Sequence, residues 1–242
     1  MNEKVKAHYD SLLADVYSWM AGDFREKVNQ TIEFFIKSNI KPSSTHLAID
    51  LGSGHGIQSA ALGEIGFDVI AVDFSEKLLL ELKQNTAKKV KALNGDITEF
   101  VYPAENMPEL VVCMGDTLTH LPSIKEVNRL IGNAAENLHK NGRLVLSYRD
   151  LSVELTETSR FFPVKSDDTR ILTCFLEYFE SYVIVNDILH EKVNDKWEMK
   201  VSSYPKLKLP ANDITKMIQG FGLSVTFSDV IHGMNYIIAE KN

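Results

Sequence analysis

The chain has 242 residues, of which 44% are hydrophobic and 24% charged, enough for one α/β domain with a sizeable insertion or for two small domains. A net charge of −7, a sequence pI of about 5.5 and the lack of any Lys/Arg block argue against nucleic acid or an anionic membrane as the main partner. The opening Met-Asn-Glu-Lys-Val-Lys lacks an apolar signal core, no apolar run is long enough to span a bilayer, and Cys113 and Cys174 make neither a disulfide framework nor a metal quartet, so a reduced cytoplasmic compartment is expected.

Residues 4–20 read as a helix rich in aromatics, Tyr9, Tyr17 and Trp19. Asp23 caps a second helix, with Glu26 three residues on. The apolar face of this helix is Phe24, Val28, Ile32, Phe35 and Ile36, and Lys41-Pro42 marks its end. A strand over His46–Leu51 opens an alternating pattern. It continues as helix Ile57–Ile65 stopped by Gly66, strand Asp68–Val72, helix Ser75–Lys88, strand Val90–Leu93 and the wholly apolar strand Leu110–Met114. Helix Pro122–His139, with proline in its first turn, is stopped at Asn141-Gly142 and followed by strand Arg143–Tyr148. Alternation of this kind builds right-handed βαβ units and a parallel sheet covered on both faces.

Near residue 151 the texture changes. Ile171–Phe179, Ser181–His190 and Lys196–Leu209 are β-rich, with a turn at Asn194-Asp195 and no helical segment between them. They predict an antiparallel unit inserted into the parallel fold. A helix over Asn212–Gln219, broken at Gly220 and Gly222, and strands Ser224–Val230 and Tyr236–Ala239 complete the chain.

The most informative segment is Ala48-Ile-Asp-Leu-Gly-Ser-Gly-His-Gly56, an apolar strand emptying into Gly52, Gly54 and Gly56. Glycine permits positive φ and puts no Cβ in the way of a ligand. A dinucleotide fingerprint needs a third glycine where Ile57 stands, and a P-loop needs a Gly-Lys-Ser/Thr that is absent. What remains is an acid, Asp50, two residues before Gly-x-Gly-x-Gly, with a second acid, Asp73, closing the next strand.

These residues resemble the nucleoside-binding motif of class I S-adenosylmethionine-dependent methyltransferases. The resemblance continues in order through Asp73, Gly95-Asp96-Ile97, Met114-Gly115-Asp116 and Gly142-Arg-Leu-Val-Leu, and covers roughly residues 45–150. It implies an α/β, doubly wound, Rossmann-like sheet of seven mostly parallel strands with the last antiparallel, helices on both faces, and an inserted antiparallel β unit. The expected division is a helical lid segment at 1–40, the donor-binding domain at 41–150 and 210–242, and a unit at 151–209 that roofs the pocket or forms a homodimer interface. The cofactor would be S-adenosylmethionine, leaving as S-adenosylhomocysteine. Asp73 would hold the ribose diol, because a carboxylate can accept two hydroxyl protons. Asp96 would accept from the adenine amino group, with Ile97 against the ring. Asp50 would orient the methionine ammonium. Gly52, Ser53, Gly54, Gly56, Phe74, Met114 and Gly115 would complete the binding surface, and Tyr9, in His8-Tyr9-Asp10, would cover it. No metal is expected.

The acceptor side should follow the fourth strand. Val111–Ser123 lacks the Asn-Pro-Pro-Tyr of DNA and protein-glutamine methyltransferases. It is similar to the Leu-Gly-Asn…His-Leu-Pro run of small-molecule enzymes of the glycine N-methyltransferase type, with Asp116 in place of their asparagine. Asp116 and His120 are the candidate bases, Asp116 being equally suited to bind an ammonium group. His120 has a plain alternative, a hydrogen bond to the start of the next helix. Arg149 could fork onto a substrate carboxylate or pair with Asp150 or Asp116. Tyr178, Tyr182 and Tyr204 are aromatics of the inserted strands that would line a roof or simply pack. The expected activity is in-line methyl transfer to a nitrogen or oxygen of a small molecule. The alternatives are a non-catalytic protein of the same fold that binds the nucleoside and, further off, a nicotinamide oxidoreductase.

Overall fold

The computed structural model describes residues 3–86 and 89–242, so the last two residues of the helix expected over Ser75–Lys88 and the first two of the chain lie outside the described residues. Seven strands form the main sheet: β1 (Leu47–Leu51), β2 (Asp68–Asp73), β3 (Val90–Asn94), β4 (Leu110–Cys113), β5 (Arg143–Tyr148), β10 (Leu223–Ile231) and β11 (Met234–Lys241). Their order is β10-β11-β5-β4-β1-β2-β3. Strand β11 runs antiparallel to both neighbours, and the β1, β2, β3, β4 and β5 pairings are parallel. Every residue of β1 and β4 is buried, which is why both read as unbroken apolar runs in sequence.

Helices cover both faces. α3 (Phe24–Lys37) and α4 (Ile57–Glu64) pack on one, through Val28, Phe35, Ala61 and Leu62 against Ala48, Val69 and Val112. α6 (Ile124–Asn137) and α7 (Ala211–Gly220) pack on the other, through Val127, Leu130, Ile131, Ile214 and Ile218 against Ile49, Val111 and Leu144. α5 (Glu76–Asn85) covers the β2–β3 edge with Leu79 and Leu82.

A second core lies above the sheet. α1 (Glu3–His8), a π-helical turn over Tyr9–Leu13 and α2 (Ala14–Ala21) run under a four-stranded antiparallel sheet made of β6 (Phe161–Ser166), β7 (Arg170–Tyr178), β8 (Tyr182–Val193) and β9 (Lys196–Leu207). Val5, Leu12, Leu13 and Val16 meet Leu172, Leu176, Val183 and Leu189 there. His8 ties the two elements, its Nδ1 2.8 Å from Ser202 Oγ and its Nε2 3.1 Å from Asp187 Oδ2. No helix of the described residues is long and apolar enough to cross a membrane.

Several local expectations are corrected. The helix over 4–20 is interrupted by the π turn. The second helix ends at Lys37 rather than at Lys41-Pro42, because Asn39 turns left-handed (φ 52°) and Ile40 N bonds back to Phe35 O at 2.8 Å. Ile36, placed on the apolar face, is 64% exposed. Pro122 precedes α6 instead of occupying its first turn, since Ser123 is the cap and accepts from Glu126 N. Strand β6 was not expected: Pro163 interrupts its β pattern and sits at a register shift of this edge strand, where a missing N–H is tolerated. The Asn194-Asp195 turn is as read, with both residues at positive φ, 50° and 60°.

Candidate active site

Gly52, Gly54 and Gly56 all have positive φ. The close approach inferred at these glycines is made partly by the chain itself. A Cβ at Gly52 would lie 2.2 Å from Thr117 Cγ2, and one at Gly56 would lie 2.8 Å from Leu82 Cγ. Gly52 N and Ser53 N both bond to Val72 O, at 2.8 and 3.1 Å, which turns the loop over the end of β2.

Two joined cavities open above this loop. The smaller, about 40 Å³, is walled by Gly52, Gly54, Asp73, Phe74, Leu78, Ile97, Thr117 and Leu121. No lysine or arginine lines it among the described residues. Tyr9, Tyr17, Gly52, Thr117 and His120 are shared with the larger cavity, about 570 Å³, which extends under the four-stranded sheet. Its wall includes Ser53, His55, Gln58, Met114, Gly115, Asp116 and Arg149 from the main domain, and Cys174, Asp187, Tyr204 and Lys206 from the inserted strands.

The expected donor-binding residues divide at this point. Tyr9, Gly52, Ser53, Gly54, Asp73, Phe74, Ile97, Met114 and Gly115 all reach a cavity wall. Asp73 is buried at the end of β2, and its carboxylate accepts from Gly54 N and Ser75 N, each at 2.8 Å. Burial raises its pKa, and the amides of Ser75, Gly54 and Phe74 oppose that rise. Asp50, Gly56 and Asp96 line neither cavity. Asp50 shares a strand face with Ala48, beneath α4, where Ser59 Oγ donates to it at 2.6 Å. Burial pushes its pKa up to about 7, and the Ser59 hydrogen bond opposes the rise. Asp96 Oδ1 accepts from Thr98 N at 2.9 Å and Thr98 Oγ1 at 2.8 Å.

On the acceptor side, Asp116 is held in ion pairs. Burial works against its charge, yet Lys206 Nζ at 2.7 Å and the Arg149 guanidinium hold its carboxyl well below the usual carboxylate range. Arg149 N adds a hydrogen bond at 2.9 Å. The ammonium that Asp116 binds is therefore that of Lys206. Of the pairings expected for Arg149, the one with Asp116 is made, while Asp150 accepts from Ser152 N. His120 lies edge-on to Tyr9 and Tyr204, with ring centroids 6.0 and 5.5 Å away. Its Nε2 is buried without a hydrogen-bond partner among the described residues. Burial lowers its pKa to about 3, helped by Lys206 and His8 and opposed by Asp116, so the ring is neutral.

Of the other aromatics, Tyr17 and Tyr204 line the large cavity, whereas Tyr178 and Tyr182 do not. Trp19 packs beside Lys165 and Arg170. Both cysteines are buried and free. The polar wall residues outside the sequence expectation include Thr117, His55, Asp187 and Lys206. His55 stands inside the glycine motif. Asp187 and Lys206 arrive on alternating strands with no motif to announce them.

The residues present fit an adenosyl group: a buried carboxylate for a diol, apolar walls for a flat ring, and no cation for a phosphate. A profile of a methyltransferase domain matches residues 48–142. The chain is 29% identical over 128 residues to the glycine/sarcosine N-methyltransferase of Aphanothece halophytica, covering 52% of this chain and 48% of that protein. It thus spans about half the length of that relative. Its fold matches the CcbJ methyltransferase of Streptomyces caelestis with a TM-score of 0.79 at 17% identity, over 96% of this chain and 97% of that one. It also matches CalS10 from Micromonospora echinaspora, an amino pentose methyltransferase solved with S-adenosylmethionine bound. There the TM-score is 0.77 at 11% identity, over 94% of this chain and 96% of that one. Motif order, sheet topology and these likenesses agree: residues 48–142 match a methyltransferase domain, and the fold is that of solved S-adenosylmethionine-dependent methyltransferases.

Proposed function

We propose that the protein transfers the methyl group of S-adenosylmethionine to a nitrogen or oxygen of a small-molecule acceptor. The observation that carries this reading is the meeting of two cavities at Tyr9, Tyr17, Gly52, Thr117 and His120, one at the glycine loop with the buried Asp73 carboxylate on its wall and the other roofed by the inserted strands. The bound donor supplies a methyl group on an already activated sulfonium sulfur, so alignment and exclusion of water are the tasks left to the protein.

The chain's residues suit those tasks. Asp73 and the Phe74–Ile97 walls hold the nucleoside. Tyr9 and Tyr17 present ring faces and edges where a cationic centre gains from aromatic quadrupoles. Neutral His120, with its Nε2 unpartnered in the structure, can accept a hydrogen bond from an acceptor N–H or O–H and so orient the nucleophile's lone pair. Its depressed pKa makes it a poor acceptor of a full proton, which favours acceptors that enter with a free lone pair. The Arg149 guanidinium, half-exposed beside Asp116, retains free N–H groups for a carboxylate on the acceptor.

Calorimetric titration tests the donor assignment. S-adenosylhomocysteine and S-adenosylmethionine are expected to bind and NAD not to. Tighter binding of NAD, or no binding of either adenosyl ligand, would overturn the reading. Asp73→Ala is expected to weaken S-adenosylhomocysteine at least tenfold, about 1.4 kcal/mol, and an unchanged dissociation constant would remove Asp73 from the site. A screen of small amines, amino acids and phenols for release of S-adenosylhomocysteine then identifies the acceptor class.

A further inference from the structure

We infer that the outer face of the four-stranded sheet is where two copies of this chain pack together, face to face about a twofold axis. Strand register sorts the residues of the sheet by side. Leu172, Leu176, Val183 and Leu189 point inward, onto the N-terminal helices. Phe161, Ile171, Ile188, Val201, Met199 and Trp197 have the opposite parity and point outward. Met199 is 63% exposed, Val201 55% and Trp197 47%. Single exposed apolar side chains are ordinary, but a group of them spread over all four strands of one face marks a contact surface. None of the six lines either cavity of the site. The polar middle of the face is satisfied from within: Ser203 Oγ donates to Asn186 Oδ1 at 2.6 Å, and Asn186 Nδ2 donates to Glu177 Oε2 at 2.8 Å.

The size of the face suits a second copy. Strands of 6, 9, 12 and 12 residues, at about 3.3 Å per residue and about 4.8 Å between strands, give roughly 600 Å². Two such faces bury about 1,200 Å², the lower end of the range for stable interfaces. Sheets pack face to face in this way about 10 Å apart, with their outward side chains interdigitated.

The charges choose the orientation. The outward carboxylate is Glu177, on the row of Ile184, and the outward ammonium is Lys192, on the row of Trp197. Those rows lie about 26 Å apart along β8, with Ile188 midway. An axis crossing the strands at Thr173, Ile188 and Val201 carries Glu177 of each copy to the end that holds Lys192 of the other, one strand to the side. An axis along the strands would set like charges at the same end. The crossing axis also matches shape. At the Glu177 end an open groove of about 1040 Å³ lies between the sheet and α6 and α7, with Ile124, Ile184, Pro205, Leu207 and Met217 on its walls. The exposed β8–β9 tip of the other copy, carrying Trp197 and Met199, arrives at that groove.

Sedimentation velocity tests the contact. At micromolar concentration the wild-type chain is expected to sediment as a dimer, with twice the 27.3 kDa of one copy. Val201→Asp sets a carboxylate on the axis against its own copy and is expected to weaken the dimer at least a hundredfold, with the circular dichroism of a folded chain retained. Glu177→Lys and Lys192→Glu, alone, are each expected to weaken it about tenfold, because both cross-pairs become repulsive. An equimolar mixture of these two variants restores wild-type affinity, since each lysine then meets a glutamate. This arm keeps the test open if Val201→Asp fails to fold. A wild-type monomer, or an unchanged dimer in Val201→Asp, overturns the interface. A mixture that associates no better than either variant alone overturns the crossing axis.

Discussion

Gly52→Ala is expected to lower folding stability by about 4 kcal/mol and to weaken donor binding with it. Two costs add. At φ 82° an alanine sits in left-handed backbone space, worth roughly 1–2 kcal/mol. Its Cβ would also fall 2.2 Å from Thr117 Cγ2, 2.6 Å from Oγ1 and 2.9 Å from Cβ. None of those atoms is the far end of a flexible chain, so the strand-four loop must move, at the usual overpacking cost of about 1–3 kcal/mol. The same loop carries Asp116 and His120, so its displacement reaches both cavities. Urea unfolding measures the stability, and titration with S-adenosylhomocysteine measures the binding. All three contacts belong to the Thr117 side chain, so Gly52→Ala/Thr117→Gly should recover the overpacking part and retain the backbone part. A single Gly52→Ala variant within about 0.5 kcal/mol of wild type would show that the loop has room to spare.

The same glycine shows what the sequence carried and what it withheld. That the backbone passes close to something at 52–56 was legible, because only glycine tolerates both the dihedral and the approach. That the neighbour at Gly52 is Thr117 was not, since it lies 65 positions away on another loop. Strands β1 and β4 were legible because burial on both faces leaves unbroken apolar runs. Strand β6 was not, because Pro163 removes the pattern that marks a strand. Spacing put Asp50 and Asp96 near the right loops, but side-chain direction is a matter of strand parity and local turns. Asp50 shares the Ala48 face under α4, and Asp96 turns onto Thr98.

Asp116, expected as a base or an ammonium-binding group, has a partner that the sequence did not show. Its charge is fixed by Lys206, 90 positions away on an inserted strand whose register no local signal specifies. Residues that act through backbone geometry were read from the motif; those whose role is set by a distant ion pair were not. His55 falls between. It was visible within Gly-Ser-Gly-His-Gly, yet the glycine pattern speaks for the main chain and is silent about the side chain it frames.

Glu109→Ala is expected to destabilise the fold by about 3 kcal/mol at neutral pH, with the loss shrinking as pH falls. Glu109 stands one residue before β4, and its carboxylate gathers the loop that feeds β1. It accepts from Ser43 N at 3.1 Å, Ser44 N at 2.8 Å, His46 N at 2.9 Å, and the hydroxyls of Ser43 and Ser44 at 2.9 and 2.8 Å. Its backbone joins the same strands, Glu109 N to Leu47 O at 3.0 Å, so the side chain reinforces the Ala48–Leu110 register at the centre of the sheet. Alanine strands several partly buried donors at once, which is why the cost exceeds that of one ordinary hydrogen bond. Burial alone would raise this carboxyl's pKa, but the hydroxyls of Ser44 and Ser43 and the amides beside them outweigh it and hold the value low. A carboxylate depressed in the folded state contributes its full stability above the unfolded value, about 4.3 for a glutamate, and loses it as pH falls through the folded value. The difference in unfolding free energy between wild type and Glu109→Gln should therefore be constant from pH 8 to about 5 and narrow below about 4. A difference that stays flat down to pH 3, or widens, would mean that the charge on Glu109 does not hold the loop.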